Sequence, residues 1–319
     1  MFLVCGEALW DLFAIEGAGE GAGLSFDARV GGSPFNVAVG LARLEQGVAL
    51  FTGLSTDRLG ERLTAALERE GVGTSALVRT ANPSTISLVD LGADGSPRYA
   101  FYGEGAADRA LTLSDLPTPG PETWGLHAGS YSLVVEPVGS TLLALFERER
   151  GRRLLTLDPN VRLTIEPEIG VWLARLESFL ACADVVKVSD EDLGLLHPGR
   201  TIDEIAADWR AKGAALVVVT RGAQGAVAFG PAGRIEAPGR RVEVIDTVGA
   251  GDTFQAALIA GLAERGATAR AAVEALGADD VSALLDFAVR AAAVTCSRRG
   301  ADLPRRAELA SPAPRTEDR

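Results

Sequence analysis

The chain has 319 residues, 47% of them hydrophobic, enough to bury the core of one large α/β domain with or without a small appendage. Its 43 acidic residues outweigh 31 basic ones for a formal net charge of −12, which argues against nonspecific binding to nucleic acid or to an anionic membrane. Two histidines and three widely spaced cysteines (Cys5, Cys182, Cys296) offer little for a metal site or a serine–histidine triad, and the cysteines read as buried free thiols of a reducing compartment.

The chain opens on a strand-like run, Phe2-Leu3-Val4-Cys5, without the basic start and apolar stretch of a signal peptide. No apolar run is long enough to span a bilayer, and a cytoplasmic location is expected. Residues 8–31 then show short period-two patterns and Gly/Asp-rich turns but no helical period. They end on Gly31-Gly32-Ser33-Pro34-Phe35-Asn36, which opens a predicted helix over 35–46 with Val37, Leu41 and Leu44 on one face. Glycines there let backbone approach a ligand closely. Asn36, in the first turn, offers a donor and acceptors suited to a hydroxylated ligand. Taken alone, Gly-Gly before a helix is also what an ordinary turn looks like.

A strand over 48–53 and a helix over 58–70 come next. Residues 84–103 again lack a helix: Ser84 to Asp90, the turn Gly92-Ala93-Asp94-Gly95, and Arg98 to Tyr102 read as a β-hairpin. Segments 8–31 and 84–103 are expected to form a small sheet that covers a pocket, with two unrelated surface loops as the alternative.

From 124 onward, strands over 124–128, 153–157, 184–188, 215–219 and 226–229 alternate with helices over 138–150, 168–180, 190–196, 202–212, 252–265 and 279–297. The run Ala214 to Val219 is apolar at every residue, which suits a parallel strand covered on both faces. This alternation predicts an α/β, doubly wound, mostly parallel sheet with ligands at the carboxyl ends of its strands. Asp158-Pro159-Asn160-Val161-Arg162 lies at such an end, and the Arg162 fork suits anions and polyols. Lys187 ends another strand and is one of only two lysines, with Lys212. Where arginine is the default cation, a compact ammonium points toward phosphate, although two lysines could also survive by accident. His197, before Pro198, reads as a helix-end residue, and the Pro- and charge-rich tail 311–319 is expected to fray.

The most informative stretch is Asp246-Thr247-Val248-Gly249-Ala250-Gly251-Asp252-Thr253-Phe254. Its glycines let N–H groups crowd toward one point just before a long helix whose own N-terminal amides and dipole favour an anion, usually phosphate. A carboxylate beside such a site makes sense if Asp252 takes a proton from a hydroxyl as it attacks phosphorus. The plainer alternative makes Asp252 a helix N-cap.

Gly31 to Ala38, followed by Gly53-Leu54-Ser55-Thr56-Asp57-Arg58-Leu59-Gly60, resembles the N-terminal signature of the PfkB (ribokinase-like) family of carbohydrate kinases. Asp246 to Phe254 resembles its C-terminal signature, and the likeness runs from Gly6-Glu7 to Gly300-Ala301. The resemblance implies a Rossmann-like domain over 1–310 with a small β lid, and transfer of the ATP γ-phosphoryl group to a sugar hydroxyl. Carried over by motif, Asp252 is the general base, and Gly249, Ala250 and Gly251 supply the N–H groups that hold the transferring phosphoryl. Asp11 matches a position that binds sugar hydroxyls; its alternative role is a turn residue before a hairpin. Gly31, Gly32 and Asn36 belong to the same substrate side.

The Asp158–Arg162 run is similar to one found in fructokinases and in 2-keto-3-deoxygluconate kinases. That likeness puts Arg162 near the sugar or the phosphates and Asn160 beside the transferring group. Tyr102-Gly103-Glu104-Gly105-Ala106-Ala107-Asp108 also resembles fructokinases, whose lid sets an aromatic, here Phe101 or Tyr102, over the sugar; a hairpin-core aromatic fits as well. On the nucleotide side, Thr220-Arg221-Gly222-Ala223-Gln224-Gly225 resembles the family's ATP loop. Thr220 and Gly222 would contact phosphates and Gly225 would permit the turn, though a plain hairpin explains the same glycines. Lys187, Gly249 and Gly251 complete that side.

Ser189 and Asp192 fall where many relatives carry an Asn-x-x-Glu element linked to magnesium and phosphate. Magnesium with water-mediated protein contacts is therefore expected, while a helix capping box formed by the same two residues is equally consistent. Asp246, Val248, Thr295, Arg298 and Gly300 match a monovalent-cation site, usually potassium, served largely by backbone carbonyls. The helix at 284–297 is expected beside the adenine, with Val289 where relatives often show Asn. The implied activity is ATP-dependent phosphorylation of a sugar primary hydroxyl, fructose first. The alternatives are 2-keto-3-deoxygluconate, its carboxylate paired with Arg162 and Arg98, and a non-catalytic sugar or nucleotide sensor. The Asp158–Arg162 run argues against nucleoside kinases. A homodimer through the lid is a further expectation.

Overall fold

A computed structural model describes residues 1–15, 23–91 and 97–309, and of 90, 91 and 97–99 the backbone only. The strands among these residues are β1 (Phe2–Cys5), β2 (Leu9–Ala14), β3 (Phe26–Gly31), β4 (Val48–Ser55), β5 (Leu77–Thr80), β6 (Ile86–Leu91), β7 (Pro97–Tyr102), β8 (Gly125–Gly129), β9 (Leu154–Asp158), β10 (Val185–Ser189), β11 (Leu216–Thr220), β12 (Ala226–Gly230) and β13 (Gly233–Ala237). The α-helices are α1 (Ser33–Arg43), α2 (Arg58–Arg69), α3 (Val138–Glu149), α4 (Ile169–Leu180), α5 (Asp190–Leu196), α6 (Ile202–Lys212), α7 (Ala250–Glu264), α8 (Arg270–Glu274), α9 (Ala278–Cys296) and α10 (Arg306–Leu309).

Nine strands form one sheet in the order β13-β12-β11-β10-β9-β8-β1-β4-β5. All neighbours from β11 to β5 are parallel, and β12 and β13 close one edge as antiparallel strands. Alternation within the strands sorts the side chains into two cores. Phe2 and Val4 of β1 join the core with α1, α2, α7 and α9, while Leu3 and Cys5 join the core with α3 to α6. Helices therefore cover both faces, as the apolar strands predict. The strand order reverses at β1, which lies between β4 and β8, so the crevice of a doubly wound sheet opens beyond the carboxyl ends of these strands. Helix α7 is buried continuously from Asp252 to Leu262 and packs between α1 and α9.

The segments without helical period pair with each other. A second sheet of four strands runs β3-β2-β6-β7, with β2 parallel to β6 and the outer pairs antiparallel. Unrelated surface loops are thus excluded. The expected turn at Gly92 to Gly95, residues 16–22 of the first segment and the tail 311–319 lie outside the described residues.

Four elements carry no clear signal in the sequence: β5, β13, α8 and α10. The two strands sit near or at sheet edges with most of their side chains partly or fully in water, so neither shows an apolar run. The helices expected from 35 and 252 start two residues earlier, at Ser33 and Ala250. All three cysteines are free, Cys5 and Cys182 buried and Cys296 half-buried. His197 caps the C-terminus of α5. Among the described residues no helix is long and apolar enough to cross a membrane.

Candidate active site

Asp252 stands in the first turn of α7, but it is not the cap of that helix. The cap is Gly249, in the left-handed region at φ 77°, and the Asp252 carboxylate reaches across to α1. Ser33 Oγ donates to Oδ1 at 2.6 Å and Asn36 Nδ2 donates to Oδ2 at 2.8 Å. Each carboxylate oxygen accepts more than one hydrogen bond, so both retain acceptor capacity for a ligand hydroxyl. The N-cap alternative therefore fails: the side chain is oriented by a neighbouring helix and not spent on its own amides.

Gly249 is required by space as well as by φ. A Cβ there would lie 2.6 Å from the Cβ of Ala301. Of the three expected amides, that of Ala250 turns back onto the Thr247 carbonyl at 3.2 Å. The N–H groups of Gly249 and Gly251 have no acceptor among the described residues. Lys187 arrives from β10, with Nζ only 3.2 Å from where a Cβ of Gly251 would stand. The ammonium is buried and donates to Asp158 Oδ2 at 2.8 Å. Burial pushes the Asp158 carboxyl above its ordinary value and Lys187 opposes that push. Asp158 Oδ1 is buried with no hydrogen-bond partner among the described residues. Two free amides, a helix N-terminus and one ammonium thus converge beside one carboxylate, a field built for an anion.

The other wall comes from the four-stranded sheet. Asp11 lies inside β2, not in a turn, and its Oδ2 stands 2.2 Å from the position a Cβ of Gly31 would occupy. Only glycine lets the carboxylate lie against the backbone at that point. Burial, reinforced by the charge of Asp252, raises the Asp11 carboxyl from its ordinary value to about 6, against the Ser87 hydroxyl and the Arg162 guanidinium. Arg162 is half-buried and donates to the Val161 carbonyl at 3.0 Å. Asn160 holds φ 40°, a left-handed conformation that Asn tolerates better than most residues. Phe101 turns inward, edge-on to Tyr131 at 6.2 Å between ring centroids, whereas Tyr102 is 65% exposed. Gly32 leads into α1 above the Glu7 carbonyl.

The family described as pfkB family carbohydrate kinase matches residues 2–307. This chain belongs to the pfkB family of carbohydrate kinases. It is 42% identical over 263 residues to a fructokinase of Rhizobium leguminosarum bv. trifolii, covering 82% of this chain and 79% of that one. It is also similar to a fructokinase with bound ATP from Xylella fastidiosa, with TM-score 0.86, 27% identity and coverage of 97% and 96%. A double mutant of fructokinase from Vibrio cholerae O395, in fructose-, ADP- and potassium-bound form, has TM-score 0.81, 29% identity and 97% coverage of each chain.

In this kinase the segment Thr220 to Gly225 is the connection of the antiparallel pair β11–β12, with a short 3-10 turn over Gly222–Gln224. The hairpin alternative is therefore part of the answer, and the turn stands at the carboxyl end of β11 where the fold places ligands. Ser189 caps α5 by accepting from the Asp192 N–H at 3.0 Å, yet the Asp192 carboxylate does not reciprocate. It accepts instead from the Val161 N–H at 3.1 Å, tying α5 to the 158–162 run. Among the described residues no three His, Cys, Asp or Glu side chains are grouped to hold a metal ion.

Asp246, Thr295, Arg298 and Gly300 gather beside the α7 N-terminus. Asp246 accepts from the N–H groups of Val248 at 3.0 Å and Gly300 at 2.8 Å. Thr295 Oγ1 pairs with Thr253 Oγ1 at 2.8 Å, and the Arg298 guanidinium pairs with Glu308 and Asp302. These side chains are occupied, so a monovalent cation there would rely on carbonyl oxygens. Val289 is buried in α9.

One site residue escapes a reading of the sequence. Ser33 sits inside the glycine motif but at a helix start, where a serine looks like a cap. Glu7, two residues past β1, is a buried carboxyl tied to Ser132 Oγ at 2.5 Å and not to Asp252 or its partners; burial pushes it to about 7.

Proposed function

We propose that this carbohydrate kinase transfers the γ-phosphoryl group of ATP to a primary hydroxyl of fructose. The observation that carries the chemistry is Asp252, held by Ser33 and Asn36 next to the free amides of Gly249 and Gly251. Asp252 takes the hydroxyl proton as the oxygen attacks phosphorus in line. The Gly249 and Gly251 amides, the α7 dipole and the Lys187 ammonium hold the phosphoryl charge. Asp11 accepts two sugar hydroxyls over Gly31, with Gly32, Asn36, Asn160 and Arg162 completing the polar wall. Thr220, Gly222 and Gly225 shape the nucleotide side. Magnesium, brought by the nucleotide, would neutralise phosphate charge next to Asp158 and Asp192, mostly through water. Potassium would sit among carbonyls of Asp246, Val248, Thr295, Arg298 and Gly300.

The support for fructose is the 42% identity with a curated fructokinase and the likeness to fructokinase structures. On this reading residues 1–310 act as one domain, and the four-stranded sheet is its lid, closing on the sugar. Apolar side chains exposed on that sheet and beside it, Ile15, Leu24 and Phe26, offer a surface for a second subunit, and the free cysteines fit a cytoplasmic protein. The test is ADP release across a sugar panel that includes fructose and 2-keto-3-deoxygluconate, with and without potassium. Fructose is expected to give the highest kcat/KM. A preference for the acidic keto-sugar would move the assignment, and no ADP with any sugar would remove it.

A further inference from the structure

A second cavity, of about 590 Å³, lies between β3, α1, α2 and the segment 299–303. Asp11, Gly31, Arg162, Lys187 and Asp252 are all absent from its walls, and it shares only Asn36 and Gly300 with the residues of the candidate active site. Five arginines line it: Arg29 from β3, Arg43 from α1, Arg62 and Arg69 from α2, and Arg299. In a chain of net charge −12 this is a local inversion of sign.

The two carboxylates on the walls do not neutralise it. Glu70 is already paired with Arg43 and Arg305, and Asp302 with Arg43 and Arg298. Arg29 pairs with Asp27. Arg62, Arg69 and Arg299 have no hydrogen bond or ion pair among the described residues. Trp10 contributes only its ring face, because its Nε1 donates to the Leu59 carbonyl at 3.1 Å. Arg62 and Arg69 share one face of α2 two turns apart, a separation of about 10 Å. Two bidentate guanidinium forks carried on backbone positions that far apart suit a small molecule with two separated phosphate groups.

We propose that this arginine-lined cavity is a binding site for a small organic bisphosphate, separate from the catalytic cleft. Its walls belong to both parts of the molecule. Arg29 rides on the four-stranded sheet, with Nη1 2.7 Å from where a Cβ of Gly300 would stand, while Arg62, Arg69 and Arg299 belong to the nine-stranded body. A ligand gripping both would bias the position of that sheet over the cleft. Its kinetic effect therefore falls on the KM for sugar more than on kcat.

The test is calorimetric titration of fructose 1,6-bisphosphate into the full chain, with magnesium, a non-hydrolysable ATP analogue and fructose present to fill the cleft. The triple variant Arg62→Ala, Arg69→Ala, Arg299→Ala is titrated in parallel. All three arginines are exposed, so the variant is expected to melt with the wild type and to keep its kcat without the bisphosphate. The expected result is saturable binding to the wild type, weakened at least tenfold in the variant and by added salt. Orthophosphate at equal concentration is expected to compete poorly, since one group cannot span the arginines. No binding by the wild type, or a loss smaller than tenfold in the variant, overturns the proposal.

Discussion

Asp252 and Asp11 are close enough for the charge of the first to raise the pKa of the second, yet they are held in opposite ways. Asp252 belongs to a helix buried along most of its length, and a donor from α1 fixes each of its oxygens. Lys187 and Asp158, its neighbours, are a buried pair on adjacent parallel strands. Everything on that side is placed by the nine-stranded body. Asp11 stands on a four-stranded sheet whose β3 is largely exposed, resting on the bare backbone of Gly31. The difference suggests a division of labour. Phosphoryl chemistry needs groups that cost no reorganisation when charge develops, and a rigid body supplies them. If the four-stranded sheet closes on the sugar as proposed, choosing a sugar falls to that thinner wall.

Removing the proposed proton acceptor on the rigid side is expected to have the largest effect. Asp252→Asn keeps the shape of the side chain and should leave ATP and sugar binding nearly intact while lowering kcat by ~10²–10⁴. Steady-state kinetics with direct binding measurements would decide it. Turnover close to wild type would show that the contrast between the two carboxylates is not one of chemistry against positioning.

Gly249→Ala ranks next. The backbone there is left-handed, and the new methyl would meet Ala301. Relieving that contact moves the two amides, for a loss of roughly 10–100-fold in kcat and about 1–3 kcal/mol of stability. Parallel measurement of kcat and Tm checks both. An Ala variant with unchanged kcat would mean that the amides near 249 do not need the exact turn they adopt.

The two sides were also unequally legible in the sequence. The body announces itself because parallel strands such as Ala214 to Val219 are apolar on every residue, and because glycines mark the turn before α7, where Gly249 is required by its φ and by contact with Ala301. Asp252 could be placed next to that turn from spacing alone. Its partners could not: Ser33 and Asn36 come from a helix more than two hundred residues earlier, and only packing of α1 on α7 joins them. The sheet bearing Asp11 was readable as two β-rich segments, while its parallel β2–β6 register was not, since neither segment contains a signal for the other. Edge strands β5 and β13 were silent for want of an apolar face, and the arginine-lined cavity is assembled from five separate stretches.

On the side of the four-stranded sheet the expected effect is smaller and depends on pH. Asp11→Asn should lower kcat/KM for the sugar by roughly 10–100-fold above pH 7, the scale of a lost charged hydrogen bond. The sign follows from the raised pKa. As pH falls through about 6 the wild-type carboxylate takes up a proton and loses acceptor capacity, so its kcat/KM declines toward that of the variant. The same shift touches stability. Between the ordinary carboxylate range and about 6 the folded chain binds this proton more tightly than the unfolded one, so the Asp11 contribution to stability decreases as pH rises through that window. The Asn variant lacks this slope. Profiles of kcat/KM that stay parallel between pH 5 and 8 would show that Asp11 does not contact the sugar as an anion.

The smallest effects should separate the two aromatics of β7, and with them the two faces of the sheet. Phe101 packs against Tyr131 on the inner face, so Phe101→Ala is expected to raise the sugar KM by roughly threefold to tenfold, about what an edge-on aromatic contact contributes. Tyr102 projects into solvent on the outer face, and Tyr102→Ala should leave both kinetic constants within about twofold. The pair is informative because the residues are adjacent, share a strand and differ chiefly in direction. Equal effects from both would mean that closure rotates the sheet enough to bring Tyr102 inward. In that case the rigid side of the cleft would remain as described, and only the resting position of the moving side would need to be redrawn.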